Sequence, residues 1–421
     1  MGAFTKSSAT GVALVGAAAL ILSGCTSGPS DSGTAGATGG PAEELALTVG
    51  TALPQTGSLA FLGPPEIAGT EMAAAEINEA GKGITVDLVQ GDSGDLDNRA
   101  FETEIPRLIG EGVSAVIGAA SSGVSLQFID ELIAEGIVQF SPANTSAEFT
   151  TYDDNGLYWR TAPSDVLQGA VLGNLIAEDG HQTLGMIVLN DSYGTGLAGF
   201  VTESFEAAGG TVTAQPTFNE GDTNYSAQIS EVLATNPDAI ALITFDHAKV
   251  IVPELIAAGY PAEQLYFVDG NLADYSADFP AGTLAGAKGT YPAVDPASIE
   301  EFTTQLQEFW TGEGNPELTD FTYAPESYDA MILIALAALA AGDTSGEAIA
   351  SKLQEVSGGT GDGEKCTTFA DCADIILAGG VADYDGVSGP ITFDEVGDPT
   401  EATIGVFQYN EENKFEFVRI G

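Results

Sequence analysis

The sequence predicts an α/β protein made of two doubly wound halves. Three observations carry this. Short apolar runs alternate with longer stretches of helical periodicity, the pattern of strand–helix–strand units built on a parallel sheet. The alternation runs from residue 45 to 140 and restarts after Arg160. Candidate strands such as 184–189 (LGMIVL) are near-continuous apolar runs, as expected when both faces of a sheet are covered.

In the first half, residues 45–49 (LALTV) read as a strand. Residues 65–80 read as a helix, with Ile67, Met72, Ala75 and Ile77 on one face and Pro65 suited to a first turn. Residues 84–89 alternate as a strand, and 100–109 are helical with Pro106 expected to kink or shorten the helix. A strand at 113–117, a helix at 125–134 and a strand at 137–140 follow. In the second half, helices are expected at 166–177, 196–208, 225–234 and 250–258. Strands are expected at 184–189, 239–244 and 265–268, with 212–216 extended. After Pro292 come three helical patterns, 299–310, 327–341 and 348–356, then short strands at 391–393, 405–409 and 415–419. The run 331–341 is apolar all round but shorter than the ~20 residues of a membrane span, so a buried core helix is expected.

The N-terminus has its own grammar. Lys6 precedes an apolar stretch at 11–22 with the size of a secretory h-region, and Leu22-Ser-Gly-Cys25 follows. These four residues resemble the lipobox of bacterial lipoproteins, whose Cys becomes the lipidated mature N-terminus. The alternative is an ordinary secretory peptide cut elsewhere. Residues 26–41 are Gly, Ser, Thr and Ala with almost no large apolar side chain, the composition of a flexible tether. The expected organisation is a signal peptide at 1–24, a tether at 25–42 and a folded remainder outside the cytoplasm, lipid-anchored to the membrane.

Composition excludes several function classes. The chain has 61 acidic against 11 basic residues, a formal net charge of −50, so nucleic acids and polyanionic substrates are repelled. Cys366 and Cys372, an even pair in an exported chain, are expected to form a disulfide. Two thiols with no nearby His make a poor metal site, and no cofactor is expected. Gly194-Thr-Gly-Leu-Ala-Gly199 matches a dinucleotide fingerprint, but Asn190 to Tyr193 separate it from the strand end. Ala119-Ala-Ser-Ser-Gly123 approximates a nucleophile elbow, yet the two His, His181 and His247, fall in the other half. Ser121 or Ser122 capping the next helix is the better reading. Asp92, Asp95 and Asp97 read as a turn with an Asx cap rather than a calcium loop. With no catalytic set in view, a cleft at the carboxyl ends of the strands points to small-molecule binding.

Five segments in order, 51–63 (TALPQTGSLAFLG), 116–122 (VIGAASS), 141–145 (SPANT), 193–198 (YGTGLA) and 323–329 (YAPESYD), resemble one family. It is the leucine/isoleucine/valine-binding type of solute-binding protein, with the type I periplasmic-binding fold, which serves ABC importers. The resemblance implies two α/β lobes joined by three crossovers, with ligand closed between them. Lobe one would comprise 43–161 and 294–388, and lobe two 162–293 and 389–421. It implies that Ser122, Ala143 and Thr145 hold an amino acid's carboxylate, and that Asp269 holds its ammonium. Tyr193, Phe245 and Tyr323 would wall the side-chain pocket, and Leu62 matches a lining position that is aromatic in some members. The implied partners are an amino acid and the membrane subunits of an ABC permease. Leu, Ile or Val is the leading ligand class, and urea, short amides and aromatic carboxylates are the alternatives. The rival from another class is an exported hydrolase using Ser121 or Ser122. A sensory module passing its ligand to a receptor is a third reading.

Overall fold

A computed structural model describes residues 44–421, so the lipobox, Cys25 and the Gly/Ser-rich segment lie outside the described residues. The first sheet is built from β1 (Leu45–Ala52), β2 (Ile84–Val89), β3 (Ala115–Gly118), β4 (Val138–Ser141) and β5 (Tyr158–Arg160). All its pairings are parallel, in the order β2-β1-β3-β4-β5. The intervening helices are α1 (Gly63–Ala80), α2 (Phe101–Gly110) and α3 (Ser122–Ala134). α2 runs through Pro106 to Gly110 rather than stopping short.

The chain then builds a second sheet. In order come α4 (Asp165–Glu178), β6 (Thr183–Leu189), α5 (Ser192–Ala207), β7 (Thr211–Ala214), β8 (Thr217–Phe218), α6 (Ser226–Ala234), β9 (Ala239–Ile243), α7 (Ala248–Ala257), β10 (Leu265–Phe267) and β11 (Lys288–Pro292). It returns to the first unit as α8 (Glu300–Gly312), α9 (Ala324–Ala341), α10 (Gly346–Val356), β12 (Glu364–Cys366), α11 (Phe369–Leu377) and β13 (Ala382–Tyr384). Last come β14 (Ile404–Tyr409) and β15 (Phe415–Ile420), added antiparallel to the edge of the second sheet. That sheet has the order β15-β14-β11-β10-β9-β6-β7, with β8 also on β6. The expected α/β architecture of two doubly wound lobes is therefore present, and the chain passes between the sheets three times, after β5, after β11 and before β14.

The second sheet has a core of its own, and the first unit's largest core is centred on α9. Every residue from Ala324 to Leu339 is buried, and α9 packs on β1 to β4 and against α1, α10 and α11. The all-round apolar run is thus a core helix, because it is covered on every side by protein. α1 comes close enough to α9 that a Cβ on Gly69 would sit 2.4 Å from the Ala324 carbonyl oxygen. Gly69→Ala is expected to cost about 1–3 kcal/mol, the usual price of overpacking a rigid contact. Urea unfolding would measure it, and an unchanged midpoint would mean that the helices part freely.

The elements missed from sequence share a cause. β5 is only three residues long and ends in a charged Arg, and β11 (KGTYP) contains Lys, Gly and Pro, so neither shows a readable strand pattern. β11 exists because β10 and β14 flank it. β12, β13 and α11 are short and lie around the disulfide of Cys366 and Cys372, whose Cα atoms are 5.4 Å apart. The expected strand at 391–393 is not one: Phe393 makes a single bridge to Pro399.

The crossovers are tied together. Arg160, at the end of β5, is fully buried. It donates to Asp398 of the third crossover through Nε (2.6 Å to Oδ1) and Nη2 (2.9 Å to Oδ2). Its Nη1 donates to the carbonyls of Asn144 (3.2 Å) and Ser146 (2.7 Å). The second and third crossovers also bond directly: Ala293 N–H reaches the Thr403 carbonyl at 3.1 Å, and the Thr403 hydroxyl reaches the Ala293 carbonyl at 2.6 Å.

Candidate ligand-binding cleft

The residues singled out from sequence sit just beyond strand ends: Ser122 after β3, Ala143 and Thr145 after β4, Tyr193 after β6, Phe245 after β9 and Asp269 after β10. This is where open α/β sheets present ligand sites. Leu62, Ser122, Ala143, Tyr193, Phe245, Asp269 and Tyr323 line a single cavity, together with Leu59, Ala120, Ser121 and Gly270. Thr145 does not line it; it is buried, with its carbonyl accepting from the Asp165 N–H at 2.7 Å. The cavity is only about 10 Å³, room for roughly one water. The lobes are closed on one another. Ser58 donates its hydroxyl to Glu220 across the cleft, the Asp246 N–H reaches the Ser58 carbonyl at 3.3 Å, and Ser146 donates to the Ser192 carbonyl at 3.4 Å.

One wall carries hydroxyls at a helix start. Ser121 caps α3 and accepts from the Val124 N–H at 3.3 Å, while the Ser122 hydroxyl accepts from the Ser146 N–H at 3.2 Å. The Thr145 hydroxyl is buried with no hydrogen-bond partner. A helix N-terminus with hydroxyls offers dipole and donors without a cation.

The opposite wall is acidic. Asp269 is buried and accepts from Tyr193 Oη (2.6 Å) and Gln168 Nε2 (3.1 Å) on Oδ1, and from Tyr323 Oη (2.9 Å) on Oδ2. Burial raises its pKa above the ordinary range, and these donors oppose the rise. Tyr193 stacks on Phe245 with ring centroids 5.4 Å apart. Tyr323 sits in the left-handed region, φ 61°, a conformation a bulky residue rarely adopts. Its hydroxyl reaches Asp269 from that position.

Sequence reasoning missed Asp165 and Gln168. Both are buried on one face of α4, three residues apart. Both Asp165 carboxylate oxygens are buried without a partner. Burial above all, then the neighbouring Asp269, pushes the Asp165 pKa well up, with Arg160 opposing. Ser164-Asp165 reads in sequence as an ordinary helix start, and only the fold turns Asp165 inward. Of the two buried acids, Asp269 lines the cavity while Asp165 lies behind it, close enough to feel its charge, and among the described residues no Lys or Arg lines the cavity.

The rim is acidic too. Burial first, then Asp95, Asp191 and Asp246, raises Glu220 to about 8 from its usual 4.5. Burial raises Asp191 from 3.8 to about 7. Both groups hold protons more tightly folded than unfolded, so unfolding releases protons and stability falls as pH rises between those usual values and the raised ones. The melting temperature is expected to drop from about pH 5 to about pH 8 at fixed ionic strength. A rise over that span would overturn this electrostatic picture.

The other motifs resolve into structure. Asp191 caps α5 through the Gly194 N–H at 2.7 Å, and a Cβ on Gly194 would lie 2.2 Å from the Leu189 carbonyl oxygen, so that glycine serves a tight strand–helix turn. Asp92 and Asp95 accept backbone N–H groups of Gln55, Thr56 and Ser58 and build the loop beside them. His247 Nε2 lies 3.1 Å from the Glu220 carbonyl, and among the described residues no His bonds to Ser121 or Ser122. Both serine hydroxyls serve backbone N–H groups instead.

This arrangement defines a two-lobed protein that closes over a small molecule. Residues 46–372 match the family model described as periplasmic binding protein. The chain is 26% identical over 378 residues to a Leu/Ile/Val-binding protein homolog of Brucella abortus, covering 88% of this chain and 93% of that one. It is 26% identical over 360 residues to a chemotactic signal-transduction substrate-binding protein of Halobacterium salinarum, covering 82% and 83%. Among solved structures, the branched-chain amino acid transporter substrate-binding protein of Streptococcus pneumoniae, in complex with isoleucine, superposes with a TM-score of 0.71 at 22% identity, covering 89% of this chain and 99% of that one. The chain belongs to the periplasmic binding protein family. Membership places it outside the cytoplasm, among proteins that capture solutes rather than transform them.

Proposed function

We propose that the protein captures a branched-chain or closely related α-amino acid and hands it to an ABC permease, tethered to the membrane by lipid on Cys25. The pairing of a hydroxyl-rich helix N-terminus with two buried acids supports this reading. The ligand carboxylate would rest on Ser122 and the backbone at Ala143, with the buried Thr145 hydroxyl turning to it as the cleft widens around the ligand. Its ammonium would pair with Asp269 and the unpartnered Asp165, and its side chain would meet Leu62, Phe245 and Tyr323. The two acids favour an amino acid over an aromatic carboxylate or an amide, which would leave both carboxyl groups buried without a cationic partner. The described closed form leaves about 10 Å³, so the ligand would stabilise a wider closed form in which both walls still reach it. Similarity to a chemotactic binding protein supports a second recipient, a membrane receptor, for the same captured ligand.

A thermal-shift screen of amino acids, amides and aromatic acids tests the ligand class. A ligand at a hundredfold excess over its dissociation constant stabilises the folded chain by about 2.7 kcal/mol. A shift with Leu, Ile or Val is expected, and shifts with amides or aromatic acids alone would replace the ligand. The Ser122→Ala, Thr145→Ala double variant is expected to weaken binding by a few kcal/mol, at about 1.5–3 per hydrogen bond to a charged group. Unchanged affinity, read by calorimetry, would remove the carboxylate assignment.

A further inference from the structure

A second cavity lies at the crossovers, with a volume of about 560 Å³, within the usual range of small-molecule sites. Its walls come from the second crossover, from the segment leading into α9, and from β14 and β15. Aromatic rings form one side. Tyr291 stacks on Phe407 at 4.5 Å, and Phe415 stands edge-on to Phe407 at 5.6 Å. Carboxylates form the other. Glu326 is 6% exposed, and its carboxylate receives no hydrogen bond from any other described residue. Asp320 Oδ1 is held by Thr322, through N–H (2.8 Å) and Oγ1 (2.6 Å), while its Oδ2 is buried without a partner. Asp274 and Glu416 add negative charge, and Lys414 is the one basic residue in the lining.

Aromatic faces and unpartnered carboxylates both attract cations, and a desolvated cation gains from each. An alkyl or quaternary ammonium carries the positive charge that complements the carboxylates and the alkyl surface that complements the rings. We propose that the crossover cavity is a second small-molecule site that takes an organic ammonium ion, with the charge on Glu326 and Asp320 and the alkyl groups against Tyr291, Phe407 and Phe415. Burial holds Glu326 at about 8, and a bound cation would relieve that penalty. Tyr323 lines this cavity as well as the cleft, so the two sites share a wall.

Calorimetry on the full chain tests this with choline and with its neutral isostere 3,3-dimethylbutan-1-ol. Choline is expected to bind at least about tenfold more tightly than the alcohol. Glu326→Gln is expected to remove most of that preference, and Phe415→Ala to weaken choline binding. Ser122→Ala, in the cleft and away from Tyr323, is expected to leave choline affinity unchanged. The proposal fails if the folded protein binds no choline, if the alcohol binds as tightly, or if Ser122→Ala abolishes choline binding. Should Glu326→Gln fail to fold, the isostere comparison, Phe415→Ala and Ser122→Ala decide alone.

Discussion

Replacing Arg160 by Ala is expected to destabilise the protein by about 3–5 kcal/mol, the cost of breaking a buried ion pair from one side. Arg160 has no exposed surface and spends its guanidinium on Asp398, Thr150 and two backbone carbonyls. Its removal leaves the Asp398 carboxylate largely desolvated and the Asn144 and Ser146 carbonyls short of a donor. Those carbonyls belong to the loop after β4 that also carries Ala143, so the cleft wall should loosen with the fold. Urea unfolding followed by circular dichroism measures the loss. Replacing both partners with apolar residues of similar size should recover much of it, since an apolar pair needs no compensation. A single-variant loss below about 1 kcal/mol would mean that the pair behaves like a surface salt bridge.

The largest effect of a single substitution on binding is expected from Asp269→Asn. The substitution keeps the shape of the side chain and an oxygen that still accepts from Tyr193 or Tyr323, so the walls should stay in place. It removes the charge that would face the ligand ammonium in a desolvated site. Losing one partner of a buried charge pair costs about 2–5 kcal/mol. For leucine this means a drop in affinity of about thirtyfold or more. The ligand-free protein should hold its stability or gain some, because a buried acid is gone. Calorimetry with leucine on Asp269→Asn and Asp165→Asn separates the two acids. A full loss in Asp165→Asn with none in Asp269→Asn would move the ammonium site to α4.

Much of this was legible in the chain. The strand–helix alternation reproduces β1 to β4 and β6, β9 and β10 because hydrophobic periodicity is a local property. The motif residues around 62, 122, 143, 193, 245, 269 and 323 converge on one cavity because each lies just past a strand end or at a helix start, and the sheet order brings those ends together. β5 and β11 were not legible, since a strand three to five residues long with Arg, Lys or Pro is recognised only by its neighbours. Asp165 was not legible because an Asp in a first helical turn looks the same whether it faces solvent or a cleft.

The sequence by itself determined the class of fold, the order of its units and the set of strand-end residues, all of which follow from local patterns of polarity and from short motifs. The tertiary structure decided the rest. Arg160 and Asp398 are 238 residues apart in the chain, yet they form the bond that ties two crossovers. Asp165, Asp269 and Glu220 have raised pKa values because distant segments bury them. A carboxylate's hydration and a guanidinium's partners depend on what the folded chain places around them, and no local pattern encodes that.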